Sequence, residues 1–267
     1  MGTWVELGSE PKDRTLTKTS APRRKDLLTR EMEEARRVQQ GLLPRSFPLF
    51  AGLDAAGECR PASQVGGDYY DFFPTANGDL GFAIGDVCGK GIPAALLMAM
   101  LQASLRGLAA SSAATLPELM TSLNRLVYEA TPDNRFATLF VGAYEPRTRK
   151  FAYVNGGHTP PIVLRHLEVQ HLTDGGPVVG LFPAVRYQQS SLTLCTGDIV
   201  LFFTDGITEA TNASGDEFGE ERLTTAVRRN QTLPTQDLVD RVFNCCYQFA
   251  AGAHEQDDMT LVILKAD

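Results

Sequence analysis

The pattern of apolar and polar positions divides the chain into a helical N-terminal segment and a longer region rich in strands. Between Asp26 and Leu43 apolar side chains recur every three or four residues, which predicts an amphipathic helix that Pro44 ends. Its apolar stripe consists of Leu28, Met32, Ala35, Val38 and Leu42. Alternate members of this stripe also recur every seven residues, so the helix either forms a short coiled coil or packs on its own domain.

After Pro44 the chain consists of short apolar runs typical of β-strands, interrupted by helical patterns. The predicted strands are 53–60, 69–74, 80–86, 136–145, 149–155, 160–165, 167–173, 187–194, 198–204 and 259–265. The predicted helices are 93–109, 116–129, 219–229 and 235–250, the first of them apolar on almost every side and therefore expected between layers of a core.

The order of these elements is not a regular alternation of strand and helix, which argues against a doubly wound parallel sheet. Runs of antiparallel strands with clustered helices predict an α+β fold. We expect a flexible tail at 1–25, a linker or dimerisation helix at 26–44 and one domain at 45–267.

Composition and charge exclude several classes of function. The 267 residues carry a net charge of −7, which is unfavourable for binding nucleic acid through its phosphates. We find no apolar run long enough to span a bilayer and no signal-peptide core near the N-terminus. The five cysteines lack zinc-site spacing. These features predict a cytoplasmic protein that binds neither nucleic acid nor membranes.

Four aspartates share an unusual setting beside strongly apolar strand-like runs. They are Asp68, Asp86, Asp205 and Asp257, and three of them are flanked by glycine. Glycine allows close backbone approach, and carboxylate oxygens suit hard divalent cations such as Mg²⁺ and Mn²⁺. Any one of these motifs alone is better explained as a turn, which is our interpretation of Gly78-Asp79 and Asp174-Gly175. The four together indicate a cation site.

The motifs that contain these aspartates resemble, in order, those of a known phosphatase family. The segments VGGDYYD, GDVCGKGIPAA, NGGHTPP, FFTDGITEA and DDMTL look like the SpoIIE/RsbU-type branch of the metal-dependent, protein phosphatase 2C-like serine/threonine phosphatases. The stretch EARRVQQGLLP is similar to the family's linker helix, which precedes the catalytic domain. The resemblance implies a central antiparallel β-sandwich flanked by helices, an α-β-β-α arrangement, with the N-terminal helix as an arm.

The resemblance also implies roles for individual residues at a site for two Mn²⁺ or Mg²⁺ ions. Asp86 would bridge the ions, Asp68 and the backbone carbonyl of Val87 would hold one, and Asp205 with Asp257 would hold the other. Two such ions can activate a shared water, whose hydroxide attacks the phosphorus directly without a side-chain nucleophile. On this interpretation Asp258 supports the ligands from behind, and Gly206 allows the turn after Asp205.

Three further residues are candidates for contact with the substrate or for support of the ligands. Arg60 is the nearest match to an arginine that distant family members use to grip phosphate, although a solvated surface position explains it better. His158 is either a general acid or, as we favour, a structural residue of a tight corner. Lys90 either attracts phosphate or is a solvated loop residue.

The function that the resemblance implies is hydrolysis of phosphoserine or phosphothreonine on a regulatory protein. A phosphorylated STAS-type anti-anti-sigma factor in bacterial partner switching is the expected substrate, by analogy. The N-terminal helix would bind a second copy or a separate regulator. The alternative is an interaction scaffold of the same fold without turnover, which would be expected to have lost one or more of the four aspartates.

Overall fold

A computed structural model describes residues 24–44, 47–48, 50–111, 114–131, 135–251 and 257–267. Nearly all of the predicted tail, 1–25, lies outside the described residues. The helices in chain order are α1 (Arg24–Leu42), α2 (Ile92–Ser111), α3 (Leu116–Ala130), α4 (Asp205–Thr208), α5 (Gly219–Arg229) and α6 (Thr235–Ala250). The strands are β1 (Leu53–Arg60), β2 (Tyr69–Pro74), β3 (Leu80–Val87), β4 (Ala137–Glu145), β5 (Lys150–Gly156), β6 (Ile162–Arg165), β7 (Glu168–His171), β8 (Gly175–Gly176), β9 (Ser190–Thr193), β10 (Ile199–Phe203) and β11 (Met259–Ala266).

The strands form two sheets whose pairing is almost entirely antiparallel. The first sheet has the order β1-β11-β10-β6-β7, and the second has the order β2-β3-β4-β5-β8, with β9 also paired to β5. The short β8 runs parallel to β5. We predicted a turn at Asp174-Gly175, which was wrong for Gly175 because this residue belongs to β8. Its backbone lies directly against Asn155, in a space that a Cβ atom would fill.

The two sheets pack face to face, and a pair of helices covers the outer face of each. Aromatic rings fill the space between the sheets, among them Phe82, which stacks on Phe202 with ring centroids 6.3 Å apart. Helices α2 and α3 pack on the second sheet, and α5 and α6 pack on the first. This arrangement confirms the α-β-β-α sandwich. All five residues of β10 are buried because both faces of that strand are covered.

The central helix α2 has a composition that could also suit a membrane span. Its 20 residues are long and apolar enough to cross a bilayer, contrary to our expectation that no run in the chain has that length. In the fold, its face formed by Ala94, Leu97, Met98, Leu101 and Leu105 is buried in the core formed with α3 and the second sheet. Packing therefore accounts for this face of α2, whereas Ile92 and Leu96 lie outside it and are exposed.

Candidate functional site

The register of the second sheet brings two of the predicted aspartates to the same end of the sandwich. Asp86 lies next to the last residue of β3 and pairs with Thr138 at the start of β4. Asp68 immediately precedes β2, whose first residue, Tyr69, pairs with Gly85. Both carboxylates therefore stand where β3 ends and β2 begins.

The first sheet brings the other two predicted ligands to this end. Asp205 follows β10 and Asp257 precedes β11, and these strands are antiparallel with Phe203 opposite Leu261. The end of one strand thus lies beside the start of the other. The hydroxyl of Thr204 joins the two sheets here, because it donates a 2.8 Å hydrogen bond to Oδ2 of Asp68. Four motifs that are far apart in the chain therefore meet.

Asp68 is the most deeply buried of the four carboxylates. It is 4% exposed, and its Oδ2 accepts hydrogen bonds from the hydroxyls of Thr204 and, at 2.6 Å, Thr260. Burial raises the pKa of Asp68 well above its ordinary value, the two hydroxyls oppose that rise, and the nearby Asp86 adds to it. Neutral donors hold this carboxylate in place without balancing its charge.

Neighbouring carboxylates also contribute to raised pKa values of Asp86 and Asp205. Burial and the charges of Asp205, Asp257 and Asp258 raise the pKa of Asp86 to about 7, against a smaller lowering by Lys90. The pKa of Asp205 is also raised, first by burial and then by Asp257. A cluster of this kind is stabilised by bound cations, which offset the repulsion among like charges.

Glycines allow the backbone to pass close to the carboxylates. A Cβ atom on Gly67 would lie 2.8 Å from the Val87 carbonyl oxygen and 3.3 Å from Oδ1 of Asp86. A Cβ atom on Gly206 would overlap the backbone oxygen of Asp258. Gly67 and Gly206 therefore leave space that larger residues would take from the site.

Asp258 holds the loop that precedes Asp68. Its Oδ1 accepts a 2.9 Å hydrogen bond from the amide of Ala62, and its Oδ2 accepts a 2.7 Å bond from the amide of Gly67. Both of its oxygens thus bind backbone amides, which suits a residue that orders the site.

His158 lies behind the site in a buried position. It is 4% exposed, its Nδ1 lies 2.9 Å from the hydroxyl of Thr138, and its amide donates to the side chain of Asn155. Burial lowers the pKa of His158 to about 4, so the imidazole is neutral at neutral pH. Thr138 in turn binds the backbone of Asp86. His158 thus supports the β3–β4 pairing from a buried position.

The structure does not bring Arg60 into contact with the four predicted ligand aspartates. Its guanidinium donates two hydrogen bonds to Glu58, at 2.8 and 3.0 Å, and lies 4.1 Å from the ring centroid of Phe243. It also contacts Tyr247 on α6. These contacts hold Arg60 between β1 and α6, on the outer face of the first sheet.

Sequence reasoning missed the threonines that organise the site. Thr204 and Thr260 anchor Asp68, and Thr138 connects Asp86 to His158. Thr204 and Thr260 each lie one to three residues from a predicted ligand, which is the only trace of their role in the sequence.

The predicted donor set suits hard divalent cations in its chemistry. Its predicted members are the carboxylates of Asp68, Asp86, Asp205 and Asp257 and the carbonyl of Val87, all oxygen donors. Across the described ranges no three acidic, histidine or cysteine side chains lie close enough together to form a ready-made metal cluster. The carboxylates share one end of the sandwich, where burial and neighbouring like charges raise the pKa values of Asp86 and Asp205.

Comparisons with known proteins agree with this architecture. Residues 76–267 match the family Stage II sporulation protein E (SpoIIE). Phosphoserine phosphatase RsbU of Bacillus subtilis is 30% identical over 238 residues, which cover 88% of this chain and 70% of RsbU. Protein IcfG of Synechocystis is 30% identical over 262 residues, 87% of this chain but only 41% of IcfG. The chain thus spans less than half the length of IcfG.

A solved structure shows the same fold at low sequence identity. The SiaA-PP2C domain of Pseudomonas aeruginosa superimposes with a TM-score of 0.80 and 18% identity, covering 91% of this chain and 98% of that domain. The family match covers well over half of the chain, and RsbU is similar across most of its own length. The chain therefore belongs to the SpoIIE family, in the SpoIIE/RsbU-type branch of the metal-dependent, PP2C-like protein serine/threonine phosphatases.

Proposed function

We propose that this protein hydrolyses phosphoserine or phosphothreonine on a regulatory protein, with a phosphorylated STAS-type anti-anti-sigma factor as the substrate. The observation that carries the proposal is the meeting of Asp68, Asp86, Asp205 and Asp257 at one end of the sandwich. A scaffold without turnover has no need to keep four mutually repelling carboxylates there. The protein would work in the cytoplasm.

Five residues would hold two Mn²⁺ or Mg²⁺ ions. Asp86 would contact both ions, Asp68 and the Val87 carbonyl one of them, and Asp205 with Asp257 the other. When bound, the ions would supply an activated water and offset the charge of the phosphoryl oxygens. Thr204 and Thr260 fix the orientation of Asp68 through their hydrogen bonds.

Hydrolysis of a generic aryl phosphate tests the metal-centre assignment. We expect activity with Mn²⁺ or Mg²⁺, loss of activity with chelator, and loss in Asp86→Ala and Asp205→Ala. The matched control is Asp240→Ala, which removes an exposed carboxylate on α6 that contacts Gln236. Full activity in both site variants would contradict the assignment of the metal ligands.

The substrate is tested separately with a serine-phosphorylated STAS-domain protein. We expect release of inorganic phosphate and recovery of the unphosphorylated protein. Stable binding of the phosphoprotein without any phosphate release would favour the scaffold. Activity on the aryl phosphate but none on this protein would contradict the substrate class alone.

We also propose that α1 receives a second copy of this chain or a separate regulator. On the described helix Leu28 is 55% exposed and Val38 is 61% exposed, so the apolar stripe is not covered by the domain. The other end of α1 contacts the site, because the Gln39 amide makes two hydrogen bonds with the backbone of Gly66, at 2.7 and 3.0 Å. The full chain and its Leu28→Glu/Val38→Glu variant should differ in sedimentation or in activation. If both are monomeric and equally active, the dimer form of this proposal fails.

A further inference from the structure

One ammonium group lies among the carboxylates of the site. Nζ of Lys90 is 2.9 Å from Oδ2 of Asp257, one of the proposed cation ligands. The two side chains are 61% and 48% exposed. The ion pair is therefore at the mouth of the site, where Lys90 has room to move.

The loop that carries Lys90 is held in a defined shape. It is flanked by Gly89, with φ of +96°, and Gly91, with φ of +70°, a region of backbone conformation that favours glycine. The amide of Cys88 donates to the carbonyl of Phe136, and the amide of Phe136 donates back to Sγ of Cys88. The backbone of Lys90 is thus fixed between β3 and α2, and its mobility lies in the four-carbon side chain.

The influence of Lys90 extends beyond its direct partner. Its pKa is raised first by the hydrogen bond to Asp257, and the charges of Asp258 and Asp205 contribute. In return, its charge lowers the pKa of Asp86. A cation that takes Oδ2 of Asp257 would displace the Lys90 ammonium from that oxygen.

We propose that Lys90 is a built-in counter-ion that competes with a divalent cation for Asp257 and, once displaced, binds the phosphate of the substrate. This inference rests on the proposed function. A lysine ammonium is a good phosphate ligand, and its flexible stem allows it to change partners. The chain thus supplies a phosphate-binding cation of its own, a role for which Arg60 is not placed.

The proposal requires two effects of opposite sign from one substitution. Removing the ammonium should strengthen cation binding, since a competitor is lost, and should weaken phosphate binding, since a ligand is lost. A lysine that only stabilises the loop would weaken both when it is replaced. A solvated lysine without a role would change neither.

The experiment measures binding by titration calorimetry with the full chain. Mn²⁺ is titrated into chelator-treated wild type, Lys90→Met and Lys90→Arg, and inorganic phosphate is then titrated into the Mn²⁺-saturated proteins. The control is Lys150→Met. Lys150 is exposed and pairs with Glu145 at the last residue of β4, whereas Thr138 and the site lie at the first residues of that strand.

For Lys90→Met we expect Mn²⁺ to bind about two- to fivefold more tightly, the range of an exposed ion pair. We expect inorganic phosphate to bind about tenfold more weakly, which is typical for loss of a charged hydrogen bond. Lys90→Arg and Lys150→Met should both stay within about twofold of wild type, since the former keeps the charge and the latter lies elsewhere.

Unchanged or weaker Mn²⁺ binding in Lys90→Met, or unchanged phosphate binding, would overturn the inference. The proposed metal centre is judged by a different variant, Asp86→Asn, in the same titration. If Asp86→Asn binds Mn²⁺ as wild type does, the metal-centre assignment fails. If it loses Mn²⁺ while Lys90→Met matches wild type, only the role of Lys90 fails.

Discussion

Two groups of buried carboxylates in this protein are compensated in opposite ways. Asp71 is 1% exposed and receives two 2.6 Å hydrogen bonds from the guanidinium of Arg106 and one from the hydroxyl of Tyr69. Asp198 is paired in the same manner with Arg165. Asp68, although similarly buried, receives hydrogen bonds from two threonine hydroxyls and faces further carboxylates.

The difference separates carboxylates whose charge is balanced within the fold from those that we propose to serve the site. An aspartate with a bidentate arginine has its charge balanced within the chain, and breaking that pair leaves a buried charge. Among the described residues, the aspartates of the site have only the exposed Lys90 as an ion-pair partner, so no arginine balances their charge as it does for Asp71 and Asp198. Removing a site carboxylate should therefore cost activity, and removing a fold partner should cost stability.

The largest effect on activity is expected for Asp86→Asn and Asp205→Asn. Each should lower kcat/KM for a phosphomonoester by at least about 10³-fold, because a cation ligand is lost. Thermal unfolding in chelator should show no loss of stability, since each change removes one of several repelling charges. A marked drop in Tm in chelator would mean that these carboxylates also serve the fold.

Arg106→Met should show the opposite result, a loss of stability. It leaves Asp71 buried without its cation, which should lower the free energy of unfolding by about 3–5 kcal/mol in urea titrations. Replacing both partners, as in Arg106→Met/Asp71→Leu, should cost less than the single change. A loss below about 1 kcal/mol for the single variant would contradict our assignment of this pair to the fold.

The pH dependence of the chelated protein should distinguish Asp86 from the paired carboxylates. Its pKa is about 7 in the folded protein and near 3.8 when unfolded, so the folded state holds the extra proton between these values. Stability from this group is therefore lost as pH rises from about 4 to 7. The Tm difference between Asp86→Asn and wild type should grow in favour of the variant across this range.

His158 acts in the opposite direction over part of the same range. Its pKa is about 4 when folded and 6.5 when unfolded, so its contribution to stability rises with pH between these values. The comparison of Asp86→Asn with wild type cancels this contribution, since both proteins keep His158. A Tm difference that stays constant from pH 4 to 7 would contradict the raised pKa of Asp86.

The smallest effect is expected for Arg60→Met. Its guanidinium contacts Glu58 and two aromatic rings, so stability should fall by about 1 kcal/mol or less. The kcat/KM for aryl phosphate should remain within about twofold of wild type, because Arg60 lies between β1 and α6. A tenfold loss of activity with an unchanged Tm would make Arg60 part of the site after all.

Much of the fold could be predicted from the sequence because its signals are local. A continuous apolar run predicts β10, and an apolar stripe at helical spacing predicts α6. Each pattern is visible within the segment that forms the element. The strand β8 could not be read in this way, since Gly175 and Gly176 have no strand propensity and pair with β5 through a close backbone approach. The single turn α4 is likewise too short to show a period.

The aspartates that meet at the candidate site could be selected from the sequence, but the residues that support them could not. Asp86 and Asp205 stand out because glycine and an apolar run flank them. Nothing near Thr138 in the sequence shows that antiparallel pairing places it opposite Asp86, and nothing near Arg60 shows that Phe243 lies under its guanidinium. Such contacts join residues that are distant in the chain, so they follow from the tertiary structure alone.

The position of β11 links this enzyme's activity to the order of its synthesis. This strand lies between β1 and β10 in the middle of the first sheet, yet it is translated after every other described strand. Asp257, immediately before it, emerges equally late. A nascent chain that ends before residue 257 lacks the strand between β1 and β10 and one of the carboxylates proposed to hold the cations, so we expect it to be inactive. Pairing between β1 and β11 also closes nearly the whole length of the domain, a long-range step typical of slow folding.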